Sequence, residues 1–360
     1  MTVRSPTLAG VPGVVSASDL AATASYVAGL QVSTGQIPWF PGGHADPWNH
    51  VECAMALTIS GYVEEARAAY WWLATHQLGD GSWFNYYQGE RVRDARLDTN
   101  VSAYVAAGVY HFLLATDDVD FVASLWPHVE RALDFVLAWQ APDGTVRWSL
   151  DAAGRPEPYA LLTGSSSVVH SLRCGVALAR RLGVAKPTWE AAGGRLSHAV
   201  AHHPGAFAPK NEFAMDWYYP IFCGALVGAA GEERLEDGWD RHVMDGYGVR
   251  CVSTNDWVTA AETAECVLAL DALGLTSRAL DLFENTRRHR REDGAYWTGL
   301  AYPRAVTFPE NETTSYTAAA ILLAADALTS SSGAAGLFRH GDVVAFADTP
   351  EPGCALHAVR

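Results

Sequence analysis

Hydrophobic positions recur every three to four residues along most of the chain, which is the period of an α-helix buried on one side. Gly, Pro or Asp interrupts the pattern between stretches, as expected at helix ends. No long segment alternates between apolar and polar residues, so long strands are not expected. The pattern predicts an all-α protein of twelve helices, at about 18–31, 47–61, 63–77, 98–115, 118–140, 165–182, 187–202, 216–229, 231–244, 258–273, 275–290 and 312–329.

Four helix ends share a phrase in which a glycine turn is followed by an aromatic residue. The phrases are GLQVSTGQIPW, THQLGDGSW, AWQAPDGTVRW and HRREDGAYW, ending at Trp39, Trp83, Trp148 and Trp297. A repeat of this kind indicates one helical hairpin used several times. A solenoid would show a tighter repeat length, so we predict a closed (α/α)6 toroid over residues 1–331. Residues 332–360 lack a helical period and are interpreted as a C-terminal arm packed on or over the ring.

The composition supports a large buried core and excludes several classes of partner. Of 360 residues, 49% are hydrophobic and 18% are charged, and the formal net charge is −15. A negative field of this size repels phosphate backbones and anionic lipids, so neither nucleic acid nor a membrane is expected as a partner. Prolines and glycines interrupt the N-terminal stretch, and no apolar run reaches the length of a membrane span. We therefore expect a cytoplasmic protein.

The six cysteines are far apart and form no C-x-x-C pair. Most lie in apolar helical runs, where a free thiol usually behaves as a small core residue. Neither a disulfide framework nor a cysteine-based zinc site is expected from this spacing.

In a toroid of this kind, the six inner helices begin at one common mouth, so the residues at their starts are brought together. Those positions hold Asp46, Asp98, Ser165 to Ser167, Asp216, Glu262 and Glu312. Helix capping alone explains some of them, because Asp is a favoured N-cap and Pro47 suits the first helical position. The serines follow no strand and no G-x-S-x-G motif, so they are interpreted as a polar helix start.

Aromatic residues crowd the same segments, which capping does not explain. They are Trp39, Trp48, Trp217, Tyr218, Tyr219, Trp257, Trp297 and Tyr316. Aromatic faces stack on the apolar faces of pyranose rings, and paired carboxyl groups cleave the bond between sugars. Carboxyl groups among aromatic side chains therefore predict a carbohydrate site at the mouth.

Several motifs carry a resemblance to a known group of enzymes. The stretch LATDDVDF at 114–121, followed by LWPHVERALDFVLAWQAPDGTV, and the phrase LDTN at 97–100 resemble the six-hairpin glycosidase superfamily that includes glucoamylase. WFPGGHADPWNHVE at 39–52, MDWYYP at 215–220 and TAAETAEC at 259–266 resemble a compact actinobacterial group often labelled "prenyltransferase". That group includes mycobacterial hydrolases of 3-O-methylmannose polysaccharides, which are intracellular endo-α-mannosidases.

The resemblance implies a glycoside hydrolase that acts on an α-linked oligo- or polysaccharide without a cofactor or a metal. A terpenoid cyclase or prenyltransferase is the alternative enzyme class. The chain has no D-x-D-D motif, and Cys251 and Cys266 lack the Asp and His partners of a prenyltransferase zinc site. A toroid that binds carbohydrate but has lost one carboxyl group is the non-enzymatic alternative.

Inverting glycosidases need one protonated and one ionised carboxyl group, about 6.5–9.5 Å apart. Glu262 is the first candidate, because an apolar surround raises a carboxyl pKa as a general acid requires. It could equally be a solvated residue that interacts with the helix dipole, and Glu265 is its rival. Asp46 is the second candidate, as an N-cap whose low pKa would suit a base. Glu52 or His50 could replace Asp46.

The other candidates are assigned to substrate binding. They are Trp39, His44, Trp48, His50, Glu52, Asp98, Asp216, Trp217, Tyr218, Arg250, Trp257 and Tyr316, with Asn255, Asp256, His170 and Glu312 as further subsite residues. Asp216 could also be the base, and Arg250 could instead form an ordinary salt bridge. The spacing H-x-D-x-x-x-H at 44–50 is not a recognised metal ligand set, so no metal is expected.

Overall fold

The structure, a computed structural model, describes residues 8–341, 343–350 and 354 and confirms the predicted (α/α)6 toroid. Its described part contains thirteen α-helices. They are α1 (Ala17–Leu30), α2 (Pro47–Ile59), α3 (Val63–His76), α4 (Thr99–Ala103), α5 (Val105–Thr116), α6 (Val119–Leu137), α7 (Leu162–Arg181), α8 (Pro187–His202), α9 (Ala214–Phe222), α10 (Gly228–His242), α11 (Ala260–Ala272), α12 (Thr276–Glu284) and α13 (Ser315–Thr329). Only Tyr104 separates α4 from α5, so the pair occupies the position of one predicted helix.

Six helical positions form a closed inner ring. Helices α2, α5, α7, α9, α11 and α13 contact one another in this order, and α13 contacts α2. All thirteen residues of α2 are buried, and α11 and α13 are buried over most of their length. Helices that are apolar or small on every side belong in an interior. Ala-rich segments such as SYTAAAILLAADALT fit this position because their side chains let neighbouring helices approach closely.

The outer helices α1, α3, α6, α8, α10 and α12 each bury one face. Each outer helix leads through a loop into the next inner helix, so the six loops meet at the end of the ring where the inner helices begin. These loops define the mouth. The N-terminus of α13 is tied to the loop before α2, since Ser315 N and Oγ donate to the carbonyls of Trp39 and Pro38 at 2.8 and 2.9 Å.

The mouth loops carry short strands that the hydrophobic pattern does not predict. They are β1 (Tyr86–Gln88), β2 (Arg91–Asp94), β3 (Leu97–Asp98), β4 (Ser149–Leu150), β5 (Val243–Met244), β6 (Gly248–Arg250), β7 (Trp257–Thr259), β8 (Gly299–Ala301) and β9 (Val306–Thr307). All pairings are antiparallel, in the sheets β1-β2, β3-β4 and β5-β6-β7-β8-β9. Segments of two to four residues are too short to leave an alternating pattern.

Some helix boundaries differ from the prediction. Helix α9 ends at Phe222 instead of about 229, and Gly224 follows it with a φ of 73°. The last inner helix begins at Ser315, where Thr314 is the N-cap, so Glu312 lies before the helix and not at its start. Asp216 lies in the first turn of α9 and does not cap it, because the N-cap position is Phe213. The predicted caps Asp46 and Asp98 are confirmed.

Three of the four repeated phrases form the same clasp between neighbouring outer helices. A glutamine amide donates to the carbonyl of the turn glycine and to a carbonyl of the next outer helix. The bonds run from Gln31 to Gly35 and Glu65, from Gln77 to Gly81 and His128, and from Gln140 to Gly144 and Ala192, at 2.8–3.0 Å. The clasps therefore join α1 to α3, α3 to α6 and α6 to α8.

The fourth phrase closes the outer ring in a different way. Its Arg290, at the position of the glutamine, forms an ion pair with Asp19 of α1. Its turn glycine, Gly294, has a φ of 86°, and a Cβ there would lie 2.5 Å from the carbonyl of Ala22. The glycines are therefore required both for the left-handed turn and for the close approach of the next helix.

Residues of the C-terminal arm lie along α8. A Cβ on Gly193 would come within 2.3 Å of the Phe346 ring, and a Cβ on Gly194 within 2.6 Å of the Ala347 carbonyl. Residues 1–7 of the predicted toroid and residues 342, 351–353 and 355–360 of the predicted arm lie outside the described residues. Among the residues that are described, no helix is long and apolar enough to cross a membrane.

The clasp predicts a large difference between two glycine substitutions. In Gly81→Ala, the new Cβ would lie 2.3 Å from the Arg131 carbonyl at a φ of 98°, whereas Gly154→Ala meets nothing within 4 Å at a φ of 75°. We expect Gly154→Ala to cost about 1 kcal/mol of unfolding free energy and Gly81→Ala at least about 3 kcal/mol. Urea unfolding followed by circular dichroism measures both, and equal losses would contradict the role of the close approach.

Candidate functional site

Asp46 lies at the start of α2 and is held by three hydrogen bonds. Its Oδ1 accepts from the backbone N of Asn49 at 2.9 Å, and its Oδ2 accepts from the Trp39 indole and the Asn49 side-chain amide, each at 2.6 Å. The residue is buried, and burial raises its pKa above the usual value even though these bonds lower it. The expectation that Asp46 keeps a low pKa is therefore wrong.

Asp98 repeats this arrangement at the start of α4. Its Oδ1 accepts from Val101 N at 3.1 Å, and its Oδ2 accepts from the Trp148 indole at 2.6 Å. Burial raises its pKa to about 6, and the nearby charge of Asp46 adds to the effect. Two neighbouring inner helices thus each begin with a buried carboxyl group held by a tryptophan.

Glu262 lies in the first turn of α11 and is buried to the same degree as Asp98. The exposed fraction is 9% for both, against 1% for Glu265 one turn further along α11. Tyr316 belongs to α13, the inner helix that contacts both α11 and α2. Burial raises the pKa of Tyr316 well above its usual value, and the charges of Glu265, Glu262 and Glu52 raise it further. Its ring meets the Trp48 ring edge-on at 6.0 Å.

Aromatic rings surround the start of α2. Trp48 stacks on Tyr104 at 4.6 Å between centroids, and its indole N lies 3.5 Å from Ser167 Oγ of α7. His44 packs against Trp39 at 4.5 Å, and burial lowers its pKa. The mouth thus presents aromatic walls beside its carboxyl groups, as the sequence predicts.

Two further carboxyl groups lie deeper, at the sixth position of their helices. Glu52 accepts from the Tyr104 hydroxyl at 3.0 Å, and its buried Oε2 has no hydrogen-bond partner in the described structure. Burial raises the Glu52 pKa to about 8, and the Asp46 charge raises it further. Glu265 accepts from the hydroxyls of Tyr218 and Tyr219, and burial, followed by the charge of Glu52, raises its pKa well above the usual value.

Burial thus favours the protonated form of both glutamates. With an exposed fraction of 1% each, Glu52 and Glu265 lie among the packed inner helices, deeper than Asp46 and Glu262.

Asp216 borders a separate cleft at the rim, which is lined mainly by the loop before α9. Its Oδ1 accepts from Thr163 Oγ1 at 2.5 Å, and burial raises its pKa. The adjacent cleft has a volume of about 410 Å³ and is also bordered by Phe207, Lys210 and Arg234. Its size and mixed lining fit one sugar unit at the edge of the mouth.

Three of the predicted substrate ligands have their polar atoms bonded within the fold. His50 receives a hydrogen bond from Ile37 N at 3.1 Å and faces the Ala69 carbonyl at 2.9 Å, so both ring nitrogens are used within the fold. The Trp217 indole donates to carbonyls of α10, and the Tyr218 hydroxyl donates to Glu265. All three side chains are buried against neighbouring helices because every face of an inner helix must pack.

Arg250 and Trp257 lie on the five-stranded sheet at the rim. Arg250 Nε lies 3.2 Å from Asp256 Oδ1, so of the two interpretations the salt bridge is observed. The Trp257 indole donates to the Phe308 carbonyl at 2.8 Å, and its ring is partly exposed. His170 is buried, with its ring stacked on Phe338 at 5.0 Å, and it does not face the mouth.

The sequence interpretation missed Tyr86 and Trp148. Tyr86 packs edge-on against His44 at 4.8 Å, and burial together with the charges of Asp46 and Asp98 raises its pKa to about 12. Trp148 ends the third repeated phrase just as Trp39 ends the first, so the repeat itself held the signal for its indole donor role. Within the described residues, the groups close enough to share a metal ion lie at the end of α8 and include no carboxyl group of the mouth.

Comparison with known proteins places the chain in a family. It is 48% identical over 334 residues to the MMP endo-(1,4)-3-O-methyl-alpha-D-mannosidase of Mycolicibacterium hassiacum, an alignment that covers 93% of this chain and 92% of that protein. The chain belongs to this mannosidase family. It is a glycoside hydrolase, as the motifs at 39–52, 215–220 and 259–266 imply. No protein-family model matches the sequence.

Solved structures outside this mannosidase family share its toroid. A D-mannose isomerase superposes with a TM-score of 0.68 at 10% identity, covering 86% of this chain and 95% of that one. A GH63 mannosylglycerate hydrolase from Thermus thermophilus superposes with a TM-score of 0.67 at 13% identity, covering 84% and 99%. At such identities the likeness establishes the (α/α)6 fold alone. Membership of the mannosidase family decides against the terpenoid alternative.

The raised pKa of Glu52 predicts a pH dependence of stability. Its pKa is about 8 in the folded protein against 4.5 for an ordinary glutamate, so the folded state holds a proton that the unfolded chain has released. The protonated Glu52 therefore contributes fully to the free energy of unfolding below its pKa in the unfolded chain. The contribution is lost as the pH rises towards the pKa of about 8 in the folded protein. We expect Glu52→Gln, which mimics the protonated form, to reduce the fall of the melting temperature between about pH 5 and pH 8.

Differential scanning calorimetry across this pH range measures the effect. Glu64→Gln, an exposed change on α3, is the matched control and should keep the slope of the parent protein. An unchanged slope in Glu52→Gln would show that Glu52 is ionised in the folded state.

Proposed function

We propose that this chain cleaves internal α-1,4 linkages of 3-O-methylmannose polysaccharide. The observation that carries the proposal is its 48% identity, over almost its full length, to a protein with this activity. The aromatic mouth supports the substrate class, since the partly exposed rings of Trp39 and Tyr86 offer apolar surface to methylated sugars. The cleft beside Asp216 supports a substrate chain that extends beyond the point of cleavage.

We propose Glu262 and Asp46 as the two catalytic carboxyl groups, acting by inversion. Both lie at the starts of inner helices that are separated only by α13 and its Tyr316. Asp46 is fixed by Trp39 and Asn49, which supports a precisely positioned group. Its raised pKa favours Asp46 as the proton donor, with Glu262 as the base that activates water, the reverse of the roles suggested by the sequence.

The proposed reaction needs no metal, since one carboxyl group supplies the proton and the other activates the water. We also propose that the enzyme works in the cytoplasm. None of its six cysteines is in a disulfide, as is usual for a protein of a reducing compartment.

The first experiment compares cleavage of methylmannose oligosaccharides, unmethylated α-mannans and α-glucans by the parent protein and by Glu262→Gln. We expect internal cleavage of the methylated substrate, with the α-linkage giving β-anomeric products by NMR. The variant should lose about a thousandfold or more in kcat, because a catalytic carboxyl group is removed without a change of shape. Glu64→Gln, on the outer surface, should keep full activity.

Three other outcomes would each change the proposal. Products with retained configuration would replace inversion by a double displacement. Cleavage of α-glucan in preference to methylated mannan would show that the substrate is a glucan. Binding of sugar without cleavage by the parent protein would leave a carbohydrate-binding toroid.

A substrate whose leaving group needs no protonation distinguishes the proton donor from the base. An aryl α-mannoside with an acidic phenol needs little protonation, so loss of the donor matters less for it than for the natural linkage. We expect Asp46→Asn to retain activity on the aryl substrate and Glu262→Gln to lose it on both. The opposite pattern would restore Asp46 as the base.

A further inference from the structure

A cluster of nitrogen and sulfur atoms lies at the end of α8, outside the carbohydrate site. His198 Nε2 and His203 Nε2 are 3.3 Å apart, and the Cys354 thiol lies 3.5 Å from the first and 3.4 Å from the second. His198 and His203 flank the last turn of α8, and Cys354 comes from the C-terminal arm, about 150 residues later in the chain. Three potential metal ligands therefore converge on one point from two separate segments.

The three separations match those of tetrahedral zinc. Zn–N bonds of about 2.05 Å and a Zn–S bond of about 2.3 Å, at the tetrahedral angle, place two nitrogens about 3.4 Å apart and nitrogen and sulfur about 3.5 Å apart. The observed values of 3.3, 3.4 and 3.5 Å agree with this geometry on all three sides of the triangle. One Zn²⁺ thus fits at bonding distance from all three atoms, with a fourth position for a water or a further side chain.

A carboxylate orients one of the ligands as it does in many zinc sites. His198 Nδ1 lies 2.6 Å from Asp348 Oδ1, so Nδ1 carries the proton and donates to the carboxylate. In the neutral ring this leaves a lone pair on Nε2, which points at the other two ligand atoms. A histidine that binds metal through one nitrogen usually donates through the other to a carboxylate or carbonyl.

We propose that His198, His203 and Cys354 bind one Zn²⁺ ion that fastens the C-terminal arm to α8. The arm already packs closely on this helix through Phe346 and Ala347 at Gly193 and Gly194. The ion is structural, with no part in the cleavage of sugar, because its ligands lie at the end of α8 and include no carboxyl group of the mouth.

The spacing of the cysteines did not predict this site. Zinc motifs are recognised when two ligands lie two to four residues apart, whereas only His198 and His203 are near each other here. The third ligand is brought in by the arm, and its position depends on the packing of residues 346–349 against the helix glycines.

The test measures the metal content of the full-length protein, purified under reducing conditions and dialysed against Zn²⁺. We expect close to one zinc per chain by plasma mass spectrometry. Replacement by Co²⁺ should give the intense visible bands of a four-coordinate ion together with a thiolate charge-transfer band. Chelation should make the arm a preferred site of limited proteolysis, while the glycosidase activity remains.

Two variants identify the ligands. Cys354→Ser should lose the bound zinc and the charge-transfer band, because the thiolate is a ligand. His202→Ala is the matched control, since His202 adjoins His198 but belongs to a different group with Asp348. It should keep one zinc per chain. Loss of zinc in His202→Ala but not in Cys354→Ser would overturn the ligand assignment, and a parent protein that binds no zinc would leave only a hydrogen-bonded cluster.

Discussion

The outer helices are aligned by a recurring pair of hydrogen bonds, in which a glutamine amide at the end of one outer helix donates to two carbonyls. A toroid has no central sheet to set the spacing of its layers, so each hairpin must be aligned with the next by local contacts. The amides of Gln31, Gln77 and Gln140 each donate to a carbonyl within the next outer helix and so fix the position of one hairpin relative to the next. The left-handed glycine four residues later lets the turn touch that helix. These bonds align α1, α3, α6 and α8, and this alignment helps to hold the inner helices between them with their starts at one end.

The same geometry explains why the carboxyl groups collect where they do. The start of a helix exposes unpaired N–H groups, and a carboxylate there both caps the helix and gains from its dipole. In a ring, six such starts face one space, so capping residues such as Asp46 and Asp98 come close enough that the charge of Asp46 adds to the effect of burial on the pKa of Asp98. The indoles of Trp39 and Trp148 offset part of the cost of burying these charges. The caps of the inner helices therefore place carboxyl groups of raised pKa at the mouth. Hydrolysis of a glycosidic bond needs such a group as its proton donor.

The ring, its twelve helical positions and the mouth at the helix starts could be predicted from the sequence, because periodicity and the repeated phrase are local signals. The caps at Asp46 and Asp98 followed from the same signals. The packing of His50, Trp217 and Tyr218 could not be predicted from the sequence. Each stands next to candidate mouth residues in the sequence, yet its side chain is buried against a neighbouring helix. Which face of an inner helix meets the mouth depends on its rotation within the ring, and a helix buried on all sides has no polar stripe to reveal that rotation. The low pKa expected for Asp46 failed for a related reason, because the capping bonds are local whereas the desolvation depends on loops far away in the chain.

Depth within the ring separates carboxyl groups that the sequence treats as equivalent. Glu262 and Glu265 lie three residues apart on α11, yet the exposed fraction is 9% for Glu262 and 1% for Glu265, which is enclosed by two tyrosine hydroxyls. Burial raises the pKa of Glu265 well above its usual value, which disfavours the ionised form that a base must present. The enclosed pair Glu52 and Glu265 also explains why the interior remains polar beneath an aromatic mouth. The Tyr104 hydroxyl, bonded to Glu52, ties the junction of α4 and α5 to α2, and the hydroxyls of Tyr218 and Tyr219, bonded to Glu265, tie α9 to α11. Each of these bonds therefore joins neighbouring inner helices below the mouth.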